Sequence, residues 1–226
     1  MNKYALSLFL LLLSLLPIAS VASAADNAVT AKPAAIYDKL SAQDHDDINR
    51  IEQYLNSMRS VQADFLQINE NSQIARGTIA IKRPGKMRVN YTDPNKNFII
   101  ADGSFVHIWN DDLKSQTNVP EEASLANFIL RDDIQLSGDI TIVGFERAPA
   151  KLSITLEKTD DPGEGQITLV FEDHPLKLRQ WHVLDAQGLT TDVSLENAQE
   201  DVSFPGNTFD FVAPDFGKSP KAEKTP

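Results

Sequence analysis

The chain has no cysteine among its 226 residues. There is no disulfide framework and no thiol nucleophile, so the core alone must hold the fold. Positive charge is scarce as well: 21 Lys and Arg stand against 32 Asp and Glu, a net charge of −11. A surface of that sign repels phosphate backbones and anionic head groups, which argues against nucleic acid and bare membrane as partners. No apolar run after residue 24 is long enough to cross a bilayer, and no fixed-period repeat is visible. GxSxG, HExxH, GxxxxGK[ST] and GxGxxG are all missing, so hydrolase, zinc-peptidase and nucleotide-binding readings have no support.

What is present begins with an export signal. Asn2-Lys3 precedes an apolar stretch over residues 5–16, and Ala22-Ser23-Ala24 forms a small-residue cleavage site. The competing reading is a membrane anchor. The stretch is short for a span and Pro17 interrupts it, so cleavage after Ala24 and export to the periplasm are expected. Only Lys3 is lost with the leader, leaving 20 basic and 32 acidic residues. Residues 25–43 read as a flexible lead-in, 44–216 as one domain, and 217–226 (GKSPKAEKTP) as a disordered tail.

Residues 44–59 carry the clearest helical period, with Ile48, Ile51, Leu55 and Met58 on one stripe and Tyr54 at its edge. Asp44, Asp46 and Asp47 suit the positive end of its dipole, and Arg59 the negative end. A second helical piece is expected over residues 124–130. Elsewhere short alternating runs are cut by turn residues: Arg83-Pro84-Gly85-Lys86, Thr92-Asp93-Pro94-Asn95, Asp102-Gly103, Asp161-Pro162-Gly163, His174-Pro175 and Gln187-Gly188. That pattern predicts about eleven antiparallel strands in a mainly β chain. If the helices do not fill the curve of such a sheet, an apolar hollow remains, and a persistent hollow implies a ligand.

Candidate chemistry is thin. His45, His107, His174 and His182 lack metal-ligand spacing, and with no cysteine a zinc site is not expected. Asp111-Asp112, Asp132-Asp133 and Asp160-Asp161 fall in turns or at a helix end, where Asp bonds local backbone. Taken alone, Arg83 reads as a solvated turn arginine. Met87, Val89 and Tyr91, then Phe98, Ile100 and Trp109, and from the helices Ile51, Leu55, Met58, Leu125 and Phe128, fit either ordinary core or the wall of an apolar site.

KRPGKMRVNY (82–91) followed by IIADGSFVHIW (99–109), together with QADFLQI (62–68) and ITLVFEDHPLKLRQWHVLDAQGLTTDVSL (167–195), resembles the LolA family of periplasmic outer-membrane lipoprotein carriers. The likeness extends from about residue 44 to residue 211. It implies an incomplete antiparallel barrel whose helices form a lid over an apolar cavity. It also implies a monomeric carrier and not an enzyme, with no cofactor. Acylated lipoproteins would be the cargo, loaded by an inner-membrane ABC-type release complex and passed to an outer-membrane acceptor. By the same resemblance Arg83 latches the lid through its five donors, and the apolar residues named above line the acyl-chain site. Arg88 stands near enough in sequence to share the latch, and Gly85 loosens the turn. The absence of a lipid-accepting cysteine matches the soluble shuttle of this family and not its anchored receptor. A carrier or sensor of another apolar ligand is the alternative, although sensors of this fold usually bear a second domain.

Overall fold

The computed structural model describes residues 36–92, 96–123, 126–212 and 214. The leader and its cleavage site, the turn residues Asp93-Pro94-Asn95, Leu125 and the tail 217–226 lie outside them. Eleven strands form one antiparallel sheet: β1 (Ser60–Asn69), β2 (Ile74–Lys82), β3 (Lys86–Tyr91), β4 (Phe98–Asp102), β5 (Phe105–Asn110), β6 (Ser115–Pro120), β7 (Ile140–Ala148), β8 (Lys151–Lys158), β9 (Gly165–Glu172), β10 (Lys177–Asp185) and β11 (Thr190–Glu200). Their spatial order is β6-β5-β4-β3-β2-β1-β11-β10-β9-β8-β7. All but one neighbouring pair are consecutive in sequence. The exception is β1 with β11, in register from Val61↔Glu200 to Asn69↔Thr191, which joins the first meander to the second. β6 and β7 are the two edges, so the barrel is unclosed. The chain that links those edges carries the short helix α2 (Ala126–Leu130).

The long helix α1 spans Ala42–Ser57, two residues earlier than its apolar period suggests. Asp44 is not its first residue but the third position of a capping box. Ser41 Oγ accepts from Asp44 N at 3.2 Å, and Ser41 N donates to Asp44 Oδ2 at 3.0 Å. Met58 caps the far end, and Arg59 lies beyond the helix. Order begins before residue 44 as well. Ile36 N donates to Ile142 O at 3.2 Å, and Ile36 and Leu40 pack on the core, so the expected lead-in gives way to structure within its own length.

The two sheet faces are covered differently. Ile48, Ile51 and Leu55 of α1 enter one continuous apolar cluster with Val61, Phe65, Ile79, Met87, Val89, Ile99, Ile108, Leu152, Ile154 and Phe171. On the other face of β3–β5 the closing segment returns over the sheet. Phe211 stacks on His107 at 4.5 Å and lies 6.1 Å from Phe98, while Arg88 Nη1 donates to Thr208 O at 3.2 Å.

Gly77 sits where neighbouring strands leave no room for a side chain. It pairs with Phe65 on β1 and Tyr91 on β3, and those two rings meet edge-on at 5.3 Å. A Cβ at residue 77 would sit 2.1 Å from Asn90 O and 2.6 Å from Phe65 Cε1. Gly77→Ala is therefore expected to cost about 1–3 kcal/mol through forced backbone movement. Urea unfolding measures this, and an unchanged midpoint would contradict the packing described.

Candidate functional site

Arg83 lies in the turn between β2 and β3 and is joined to Pro84 by a cis peptide bond. It is not solvated: only 4% of its surface is exposed. Five side-chain hydrogen bonds occupy the guanidinium. Nε donates to Arg131 O at 2.8 Å. Nη1 donates to Leu55 O and, at 3.3 Å, to Met58 O. Nη2 donates to Asp132 O at 3.0 Å and to Asn56 Oδ1 at 3.3 Å. The acceptors belong to the last turn of α1 and to the chain just after α2. Both are places where helix carbonyls lack intrahelical donors and where a positive charge meets the negative end of the dipole. Burial, then the nearby charge of Arg59, pull the Arg83 pKa below its usual value. Arginine has range to spare and stays charged at neutral pH.

The same end is stitched further. Asn56 Nδ2 donates to Ile134 O and Asn56 Oδ1 accepts from Ile134 N, each at 2.8 Å. Leu136 N donates to Glu52 Oε2 at 2.8 Å, and Arg59 pairs with Asp132. Gly85 N donates to Leu130 O at 2.8 Å. α1 and the chain after α2 are thus tied to each other and, through Arg83, to the β2–β3 hairpin tip.

The other end of α1 is held by charge. Asp47, 6% exposed, accepts from Arg147 of β7 and from Arg50 Nη1 at 2.6 Å. Arg147 also reaches Asp44 at 2.9 Å, and Arg50 reaches Asp173 at 2.7 Å. Hydrogen bonding to Asp173 raises the Arg50 pKa. Burial presses the Asp173 carboxyl upward, but the bond and charge of Arg50, together with His174, hold it below its usual value. Tyr54 Oη donates to Glu200 at 2.8 Å and accepts from Leu178 N at 3.2 Å.

Six of the residues expected to line a cavity sit together between sheet and lid: Ile51, Leu55, Met58, Met87, Val89 and Phe128, all buried in the apolar cluster. Tyr91 lies at its margin, half-buried, with its hydroxyl on Gln67 at 2.9 Å. Phe98, Ile100 and Trp109 belong elsewhere. The register pairs Arg88 with Ile100, Asn90 with Phe98 and Phe98 with Trp109, which puts all three on the face away from the helices. Arg88 shares that face and so stands apart from the lid. Leu125 lies outside the described residues.

The interior is filled by the helices' own side chains, with Ile51 and Leu55 fully buried, so the expected hollow is not one open chamber. Clefts border α1 instead. One of about 460 Å³ runs past Tyr37, Ile48, Glu52, Leu136 and Ile142. One of about 170 Å³ is lined by Tyr54, Met58, Val61, Leu178 and Leu195. Among the described residues no three His, Asp or Glu side chains gather in a way that would hold a metal. His107 is engaged by Asp102 at 2.9 Å and Asn118 at 3.0 Å, and His182 by Asp192 at 2.6 Å.

Sequence reasoning passes over Arg50, Arg147 and Asn56, and reads Asp47 only as a dipole partner, not as the centre of an ion-pair cluster. Asn56 alone leaves a signal, a polar residue in the last turn of a helix where carbonyls need partners.

Comparison with known proteins bears on this arrangement. The family described as outer membrane lipoprotein carrier protein LolA matches residues 56–212. An uncharacterized protein of Rickettsia prowazekii is 21% identical over 183 residues, spanning 81% of this chain and 84% of that protein. An outer-membrane lipoprotein carrier protein of Legionella pneumophila is 29% identical over 170 residues, spanning 71% of this chain and 82% of that one. The crystal structure of a LolA superfamily protein from Nitrosomonas europaea superposes with a TM-score of 0.41 at 10% identity, covering 71% of this chain and 96% of its own.

Arg83→Leu removes the guanidinium donors from Leu55 O, Met58 O and Arg131 O and leaves Asp132 O to Arg59 alone, and each buried acceptor left unanswered costs about 1–3 kcal/mol. Amide hydrogen exchange in the last turn of α1 and in residues 131–134 is then expected to rise about tenfold or more, since ~1.4 kcal/mol is a factor of ten. Exchange in β8 and β9 should stay unchanged. Equal protection of α1 in both proteins would show that Arg83 does not hold the lid.

Proposed function

The chain belongs to the LolA family, and from that premise we propose that it is a periplasmic carrier of acylated lipoproteins between the inner and outer membranes. In this reading the leader is cleaved after Ala24 and the mature monomer is loaded by an inner-membrane ABC-type release complex. It then gives its cargo to an outer-membrane acceptor. No covalent chemistry is required of it, and no cofactor.

The observation that carries the proposal is the buried fork of Arg83 on the carbonyls of both helices. The lid covers a largely apolar surface, yet one charged residue supplies much of its fastening at that end. Acyl chains that lift the lid take the place of Ile51, Leu55 and Met58 against the sheet. Burying a methylene stabilises by about 0.8 kcal/mol, so three chains suffice to break several hydrogen bonds and separate the helices. The energy used in opening lowers net affinity, which keeps the cargo transferable. Closure of the lid onto Arg83 then helps expel it.

An apolar fluorophore bound to the purified protein should be displaced by a tripalmitoylated lipoprotein and not by its unacylated form. Arg83→Leu should still bind the acylated protein but transfer it more slowly to an acceptor, because the closed empty state has lost its stabilisation. Absence of competition would overturn the carrier reading. Transfer at the wild-type rate would overturn the latch alone.

A further inference from the structure

Residues 131–139 join α2 to β7 as a loop whose neck is closed by charge. Arg131 Nη1 and Nη2 donate to Asp139 Oδ1 and Oδ2 at 3.1 and 2.9 Å. Between those ends the loop turns two apolar side chains inward. Ile134 and Leu136 are buried and enter the same cluster as Ile51 and Leu55, while Asp132, Asp133 and Gln135 are exposed.

α1 holds the middle of this loop by its backbone. Glu52 and Asn56 are four residues apart and so share a face of the helix. Asn56 answers both the N–H and the C=O of Ile134, and Glu52 answers the N–H of Leu136, all at 2.8 Å. Arg59, just past the helix, donates to Asp132 O at 3.0 Å. Asn56 Oδ1 also accepts from Arg83 Nη2 at 3.3 Å, so one amide touches both the loop and the arginine of the hairpin tip.

These bonds decide which seam parts more readily. Separating the loop from α1 would strand Ile134 N, Ile134 O and Leu136 N together, beside a buried apolar edge. Moving loop and helix as a unit keeps those bonds and gives up, at this end, the contacts of a single side chain, Arg83. The neck leaves the joint unobstructed. Gly138 is exposed at φ +77°, with open space where a side chain would stand.

Resting on the carrier reading, we propose that residues 131–139 travel with α1 as one gate, and that Asn56 and Glu52 are the positioning residues that couple them. Ile134 and Leu136 then leave the interior together with Ile51 and Leu55. Acyl chains take the space of both pairs, so the room for hydrocarbon is larger than the footprint of α1.

Spin-label pairs in the full chain test this, at the exposed positions Gln53 on α1, Gln135 in the loop and Gln62 on β1. On addition of a tripalmitoylated peptide the Gln53–Gln62 and Gln62–Gln135 distances should lengthen together, while Gln53–Gln135 keeps its single distance. A Gln62–Gln135 distance that stays put while Gln53–Gln62 lengthens overturns the coupling and leaves the carrier reading standing. A bound peptide that moves neither pair overturns the helix displacement of the carrier reading, and the proposal with it. In Asn56→Ala the two movements should part, with Gln53–Gln135 broadening in the presence of peptide. Without peptide, amide exchange at Ile134 should rise about tenfold and exchange in β8 and β9 should not change. Protection of Ile134 equal to wild type would remove Asn56 from the coupling. Should Asn56→Ala fold poorly, the three wild-type distances decide the question without it.

Discussion

One guanidinium ties the tip of a hairpin to the ends of both helices. Arg83 reaches from a hairpin tip into the last turn of α1 and the chain after α2, and its five bonds fall on groups from both. Helix ends must satisfy their carbonyls somehow. Here the donor comes from the sheet, so the hairpin that packs beside the helices also completes their ends. The five bonds share one side chain, so displacing α1 would break several of them together.

The apolar interface beneath the lid supplies the opposing tendency. Ile51 and Leu55 are fully buried against the concave face, yet clefts of about 460 and 170 Å³ run along α1. Native interiors are usually closed to crystal-like density. A helix bordered by clefts gives up contacts at its flanks, so its hold on the sheet rests more on the two polar fastenings: Arg83 at one end and the Asp47–Arg147–Arg50–Asp173 cluster at the other. Removing one member of such a cluster leaves a desolvated charge, so those residues act together.

Much of the architecture is legible in the sequence because its punctuation is local. Pro84-Gly85, Asp102-Gly103 and Gln187-Gly188 mark hairpins, and the alternation of Met87, Val89 and Tyr91 marks a strand face. The number of strands and the unclosed meander follow from these. What the sequence hides is whatever depends on distant partners. Phe98-Ile99-Ile100-Ala101 is apolar throughout, so its period cannot say which residues face the helices, and Phe98, Ile100 and Trp109 turn out to lie on the opposite side. Asp47 and Arg147 are 100 positions apart, and nothing local marks them as a pair. α1 begins early because Ser41 and Asp44 cap one another, whereas the run of acidic residues draws the expected boundary toward itself. Arg83 looks like any turn arginine on its own residues. In the fold its guanidinium is instead buried on carbonyls at the ends of both helices.

The central claim is that hydrocarbon replaces α1 on the sheet. The absence of cysteine makes it directly measurable, because two introduced cysteines would be the only sites for spin labels. Labels at Gln53 on α1 and Gln62 on β1, both exposed, report the separation of helix and sheet. Addition of a tripalmitoylated peptide should replace the single closed-state distance with a longer one, and removing the peptide should restore it. A bound peptide that leaves the distance unchanged would contradict the account.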